Sequence, residues 1–259
     1  MASRFKQFRI LILLLILLFV SLQTWLTQIR STDWEEPLWV VVYPINGDDS
    51  DVTSDYIGRL KVSDFTAIES FMAAQAKEYS LDTDEPVIFK LAPEVHDRPP
   101  QPPRDGNILD TVFWSLKMRY WSMHNDTFDG PTPDIQMFIV YYDPKIHPTV
   151  SHSVGLQKGM VGIVNAFASD KMTSTNNVII AHELLHTVGA TDKYDPRTNM
   201  PLFPAGFAEP TKKPLYPQRK AELMAGRVPL SSDKAKIPAN LSQVVIGKYT
   251  AAEIRWFSP

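Results

Sequence analysis

Short apolar runs and amphipathic stretches follow one another along the chain, and their periods separate strands from helices. Leu38 to Tyr43 (LWVVVY) is a continuous β-branched and aromatic run, which predicts a buried strand stopped by Pro44 and the Asn46-Gly47 turn. Between Ser63 and Tyr79, Phe65, Ile68, Phe71, Met72 and Ala76 fall at helical spacing and predict an amphipathic helix. Pro86 to Leu91 (PVIFKL) reads as a second strand. From Asn107 to Met123 a stripe of Ile108, Val112, Leu116 and Tyr120 predicts a second helix with that stripe turned to the core. Ile135 to Tyr142 (IQMFIVYY) is the strongest strand signal, and Met160 to Ala166 a weaker one. This order of elements predicts an α/β (α+β) domain with a mixed sheet over residues 38–259. From Asp195 to Pro238 prolines are frequent and periodicity is lost, so a loop-rich but packed C-terminal part is expected. A last helix is expected near Thr250, where Thr250 and Glu253 make a capping-box pair. The segment from Arg98 to Arg104 (RPPQPPR) predicts an extended polyproline connector, and the loop from Glu94 to Gly106 that holds it is a candidate cover for a site.

One apolar run lies outside this pattern. Arg4, Lys6 and Arg9 precede an unbroken stretch from Ile10 to Val20, continued through Leu22, Trp25 and Leu26. As a helix, Ile10 to Leu26 spans roughly 25 Å, close to the hydrocarbon thickness of a bilayer. No small-x-small cleavage site follows. The expectation is a basic cytoplasmic tail over 1–9, an uncleaved transmembrane signal anchor over 10–29, and an extracytoplasmic domain beyond it.

Composition narrows the chemistry. The net charge of −3 and the lack of a basic run argue against a nucleic-acid partner. With no cysteine the chain has no disulfide, no thiolate metal ligand and no cysteine nucleophile, so any metal sits on His, Asp or Glu.

The chemistry is concentrated in one segment. Asn177 is a fitting N-cap, Val178, Ile179, Ile180, Leu184, Leu185 and Val188 supply an apolar face, and Gly189 is a fitting stop, so a helix is predicted there. His182 and His186 lie one turn apart on the same face, about 6 Å along the axis, and two imidazoles so placed converge on one tetrahedral metal. Glu183 beside them is the carboxylate that takes a proton from a metal-bound water and passes it to a leaving amine.

The stretch HELLHTVGATD resembles the metzincin metallopeptidases, whose longer motif is H-E-x-x-H-x-x-G-x-x-H. Its last position here is Asp192 instead of His, as in the snapalysin-like branch. The resemblance, which covers Asn177 to Gly226, implies zinc (Zn2+) held by His182, His186 and Asp192, with Glu183 catalytic. Gly189 can take the positive φ that turns the chain back toward the metal. It also implies a metzincin-like twisted sheet with the active-site helix beneath its cleft and a loop-rich C-terminal subdomain. Ala221 to Gly226 looks like the family's methionine turn, with Met224 as a floor under the metal or else an ordinary core residue. The expected function is a membrane-anchored zinc endopeptidase, hydrolysing peptide bonds of a peptide or protein substrate by a zinc-bound water. Two other readings stand beside it: a non-catalytic zinc-stabilised extracytoplasmic interaction module, and a zincin in which Glu222 completes the site. Tyr194 is either a hydrogen-bond donor to a tetrahedral intermediate or a packing residue. His96, His124, His147 and His152 read as surface residues, although 147 and 152 flank Pro148 and form a weaker possible metal pair.

Overall fold

The computed structural model describes residues 7–11, 14–15, 33–103, 108–151, 153–156 and 160–257. Strands β1 (Leu38–Asn46), β2 (Val87–Leu91), β3 (Ile135–Tyr142), β4 (Val154–Leu156) and β5 (Val161–Phe167) form one sheet of order β2-β1-β3-β5-β4. Four of them run parallel, and β4 pairs antiparallel with β5 at the edge. This is a mixed α/β architecture. Parallel neighbours need crossover connections, which cover both faces of the sheet. Helices α1 (Asp51–Ile57), α2 (Thr66–Glu78) and α3 (Ile108–His124) lie in such connections, and α4 (Thr173–Thr187) follows β5.

Alternate residues of the central strands serve two cores, which is why their sequences read as continuous apolar runs. Val40, Val42, Met137 and Ile139 face Ile68, Met72, Ile180 and Leu184 of α2 and α4. On the other face Val41, Tyr43, Phe138 and Val140 meet Trp114 and Met118 of α3. All five residues expected to form the apolar side of α2 are buried, Phe65 from the 3₁₀ turn that leads into it.

Four expectations need correction. Pro44 does not stop β1, which runs on to Asn46. The carbonyl of Val42 accepts from Ala92 and that of Pro44 from Val95, so the ring nitrogen of Pro44 faces the side where β2 has already ended and no ladder bond is lost. The predicted stripe of α3 is turned outward, with Val112, Leu116 and Tyr120 at 49%, 57% and 74% exposure. Trp114 and Met118 form a rival apolar side, joined by Trp121 edge-on to Phe138 at 4.7 Å, and these larger groups bury more area against the sheet. Helix α4 begins at Thr173, so Asn177 is interior and does not cap it. The amides of Asn176 and Asn177 are committed instead to the Phe167 and Asp64 backbones. The last helix, α5 (Lys248–Glu253), starts from Gly247 without the expected capping box, because Thr250 and Glu253 bond elsewhere.

The C-terminal part is built of two-residue strands and short 3₁₀ turns, yet Phe207, Leu223, Met224 and Val228 are buried. At the other end the folded unit reaches back to Trp34, 3% exposed, whose indole donates to the Ile254 carbonyl at 2.7 Å. Most of the expected anchor, 10–29, lies outside the described residues. Among the described residues no helix is long and apolar enough to cross a membrane. The proline-rich segment has no regular structure over 98–103, and Trp114 of α3 donates to the Pro100 carbonyl at 2.9 Å. None of the described residues of the 94–106 loop, 94–103, lines the cleft beside α4.

Candidate metal centre

Helix α4 crosses β5 and the edge strand β4, and its apolar side fixes where its polar groups point. Leu184 and Leu185 are buried, each contributing about 1.5–3 kcal/mol by leaving water, so the helix cannot roll without losing that burial. His182 and His186 leave the helix on one side. Nδ1 of His182 lies 2.9 Å from the Leu223 carbonyl and Nδ1 of His186 lies 2.8 Å from the Ala190 carbonyl. A carbonyl only accepts, so each neutral ring carries its proton on Nδ1 and presents the lone pair of Nε2 outward.

Beyond Thr187 the chain reverses at Gly189, whose φ of 109° is disfavoured for residues with a Cβ. The reversal brings Asp192 back over the histidines. Its Oδ1 lies 3.2 Å from each Nε2, and the two Nε2 atoms are 3.1 Å apart. Around a tetrahedral ion with bonds of 2.0–2.2 Å, neighbouring ligand atoms stand about 3.3 Å apart. The three acceptors therefore match one face of such a tetrahedron, with no donor among them when both rings are neutral. Electrostatics agrees with that chemistry. Burial disfavours a charged His182, but the hydrogen bond to Asp192 and the charges of Glu183 and Asp192 outweigh it and raise its pKa, so the site attracts positive charge. Among the described residues no fourth His, Asp or Glu joins the group. The triad opens on a cleft of ≈ 430 Å³ whose wall includes Ser153, Gly155, Tyr194 and Asn199.

Glu183 is 6% exposed, and its Oε2 is buried without a hydrogen-bond partner. Burial raises its pKa, against the lowering effect of the two imidazoles and of the Gly155 amide, which donates to the carboxylate. Gly155 of β4 presses directly on the helix. A Cβ there would overlap His186 Cβ and lie 2.7 Å from the Glu183 carbonyl oxygen, so only glycine lets the edge strand approach.

The loop that carries Asp192 is fastened on both sides. Glu253 of α5 accepts from the Thr191 amide at 2.9 Å, the Thr191 hydroxyl at 2.7 Å and the Lys193 ammonium at 2.7 Å. The Lys193 amide donates to the Met224 carbonyl at 2.9 Å. Met224 itself is fully buried in the 3₁₀ turn Leu223–Ala225, the same turn whose Leu223 carbonyl orients His182. Glu222 is also fully buried, but it accepts from Ala225 N, Gly247 N and Thr250 Oγ1 and does not join the triad. Tyr194 lies in the cleft wall instead of the core, and burial together with Asp192 and Glu183 raises its pKa.

The sequence brought forward His182, Glu183, His186 and Asp192, and the fold gathers all four. It gave no signal for Gly155, for the Leu223 and Ala190 carbonyls, or for Glu253 and Lys193. The remaining histidines stand apart: His96 lies 3.9 Å from Glu94, His124 stacks on Tyr120, and His147 meets the Tyr142 ring. His152, the proposed partner of His147, lies outside the described residues. Compared with known proteins, the chain matches no protein-family model and no curated protein.

Proposed function

We propose that this chain is a zinc-dependent endopeptidase of the metzincin type, held at a membrane by its N-terminal apolar segment with the catalytic domain outside the cytoplasm. The observation that carries the reading is the convergence of two Nε2 lone pairs and a carboxylate oxygen within 3.1–3.2 Å, beside a buried glutamate with an unpartnered oxygen. His182, His186 and Asp192 would hold the zinc, which when bound would supply Lewis-acid chemistry to the scissile carbonyl and to water. Glu183 takes the proton of the attacking water and returns it to the leaving amine. Its burial favours the protonated form that the second transfer needs.

The position of the cleft supports a peptide as the substrate. Strand β4 ends the sheet order and Gly155 lines the cleft, so an extended chain that adds to the outer edge of β4 passes over the triad. A neighbouring hollow of ≈ 410 Å³, walled by Phe167, Val178, Ile179, Leu223 and Ile237, suits an apolar side chain of that peptide. The non-catalytic zinc module accounts for three ligands but not for Glu183 or the open cleft. The Glu222 reading is disfavoured because all of that carboxylate's contacts lie behind the turn.

Glu183→Gln keeps shape and removes the base. Hydrolysis of a peptide library by the purified full chain should fall by about 10²- to 10⁴-fold or more, with zinc content unchanged. Undiminished cleavage by the variant, or no cleavage by the zinc-loaded native chain, would remove the enzyme reading.

A further inference from the structure

Helix α3 is apolar on both sides. Trp114, Met118 and Trp121 pack on the sheet, whereas Leu109, Val112, Phe113, Leu116, Tyr120 and Met123 stand between 49% and 78% exposed along the opposite side. Their three- and four-residue spacing makes one continuous patch of six large groups on a 17-residue helix, far more than the scattered apolar residues of an ordinary surface. Within α3 the one acid, Asp110, is set against Lys117 and Arg119.

We propose that this face of α3 rests in the headgroup layer of the membrane to which the chain is tethered. The proposal deepens the anchored reading and rests on it. Trp34 is fixed in the core, and seven residues, 27–33, separate it from Leu26. Fully extended, they span at most about 28 Å, so a domain tethered through them lies against the bilayer and not on a long stalk. The tether leads into β1 at Leu38, at the end of the sheet where the parallel strands start. As the crossover from β2 to β3, α3 runs back toward that same end, where Ile135 pairs with Val40. Its C-terminal half, with Leu116, Tyr120 and Met123, thus comes down at the tethered end. An apolar helix face with basic residues and an aromatic at its border is the composition of helices that lie in the membrane interface.

The absence of cysteine makes the test direct. Single substitutions Phe113→Cys, Leu116→Cys and Tyr120→Cys, with Val62→Cys on the surface near α2 and Leu17→Cys in the apolar run as references, each take an environment-sensitive fluorophore in the full chain. The labelled proteins are reconstituted into phosphatidylcholine and phosphatidylglycerol vesicles with brominated acyl chains. Quenching at 113, 116 and 120 as well as at 17, with 62 unaffected, is the expected result. Quenching at 17 with the α3 labels as unaffected as 62 overturns the docking and keeps the anchor. Quenching on α3 alone removes the anchor and overturns the tethered docking proposed here, leaving an untethered membrane contact, and quenching at neither overturns both. A spectral shift on α3 that follows protein density and ignores bromine means that a second copy covers the face, and overturns the proposal.

Discussion

Asp192 and Glu222 occupy opposite situations near the same histidines. Asp192 keeps 43% of its side chain in solvent. Burial pushes its pKa up, but the hydrogen bonds and charges of His182 and His186, when those rings are protonated, outweigh it and hold the carboxyl well below the usual range. Glu222 is fully buried, has its pKa raised by that burial, and binds three donors with two oxygens. One carboxylate is therefore free to meet a cation and the other is a structural acceptor. Asp192→Ala should lower zinc affinity by more than about 100-fold, beyond what losing an outer hydrogen bond to a ligand gives. Glu222→Gln turns an amide toward one or more of those donors and should cost about 1–3 kcal/mol in denaturant unfolding while leaving zinc affinity nearly intact. Competition with a chromogenic chelator and urea titration separate the two effects. Loss of zinc in the Glu222 variant with stability unchanged would reverse the assignment.

At the level of elements, the last helix acts on the loop that carries Asp192 without joining the triad. The three bonds that Glu253 accepts lie on the residues either side of Asp192, so the loop is held before any ion arrives. Glu253→Ala should weaken zinc binding by about 10- to 100-fold and leave the stoichiometry at one, measured by the same competition. An unchanged affinity would mean that Gly189 and the Met224 carbonyl hold the loop by themselves. The sequence could not reveal this clamp, because Glu253 and Lys193 are sixty residues apart and the one local pattern that includes Glu253, the capping box with Thr250, points it at a different partner. Strands were easier to read: β1 and β3 are buried on both faces, and their β-branched and aromatic runs carry that fact locally. Helix α3 was readable as a helix but not in its orientation, since a helix apolar on two sides offers periodicity no means of choosing. The boundary of β1 was misjudged for a related reason, since the tolerance for Pro44 depends on where another strand, β2, ends.

Over the whole molecule, the His-Glu-His segment and Asp192 were legible because all lie within eleven residues on a helix and its turn. What surrounds them was not. His182 is oriented from residue 223, the edge strand approaches at residue 155, and the Asp192 loop is fastened from residue 253, contacts that the tertiary fold alone creates. An ion bound at this point is held by a geometry that unfolding destroys, so binding and folding are linked. A ligand that binds only the folded chain adds about 2.7 kcal/mol at one hundred times its dissociation constant. For a domain of this size each kcal/mol moves Tm by about 2–4 °C, so saturating zinc should raise Tm by roughly 5–10 °C. Excess chelator should reverse the shift, and Asp192→Ala should flatten it, whereas Glu183→Gln should keep most of it, because Glu183 is not a ligand. Thermal unfolding of the full chain in detergent, scanned with and without zinc, checks all three. An equal shift in the native chain and in Asp192→Ala would place the metal somewhere other than between these three residues.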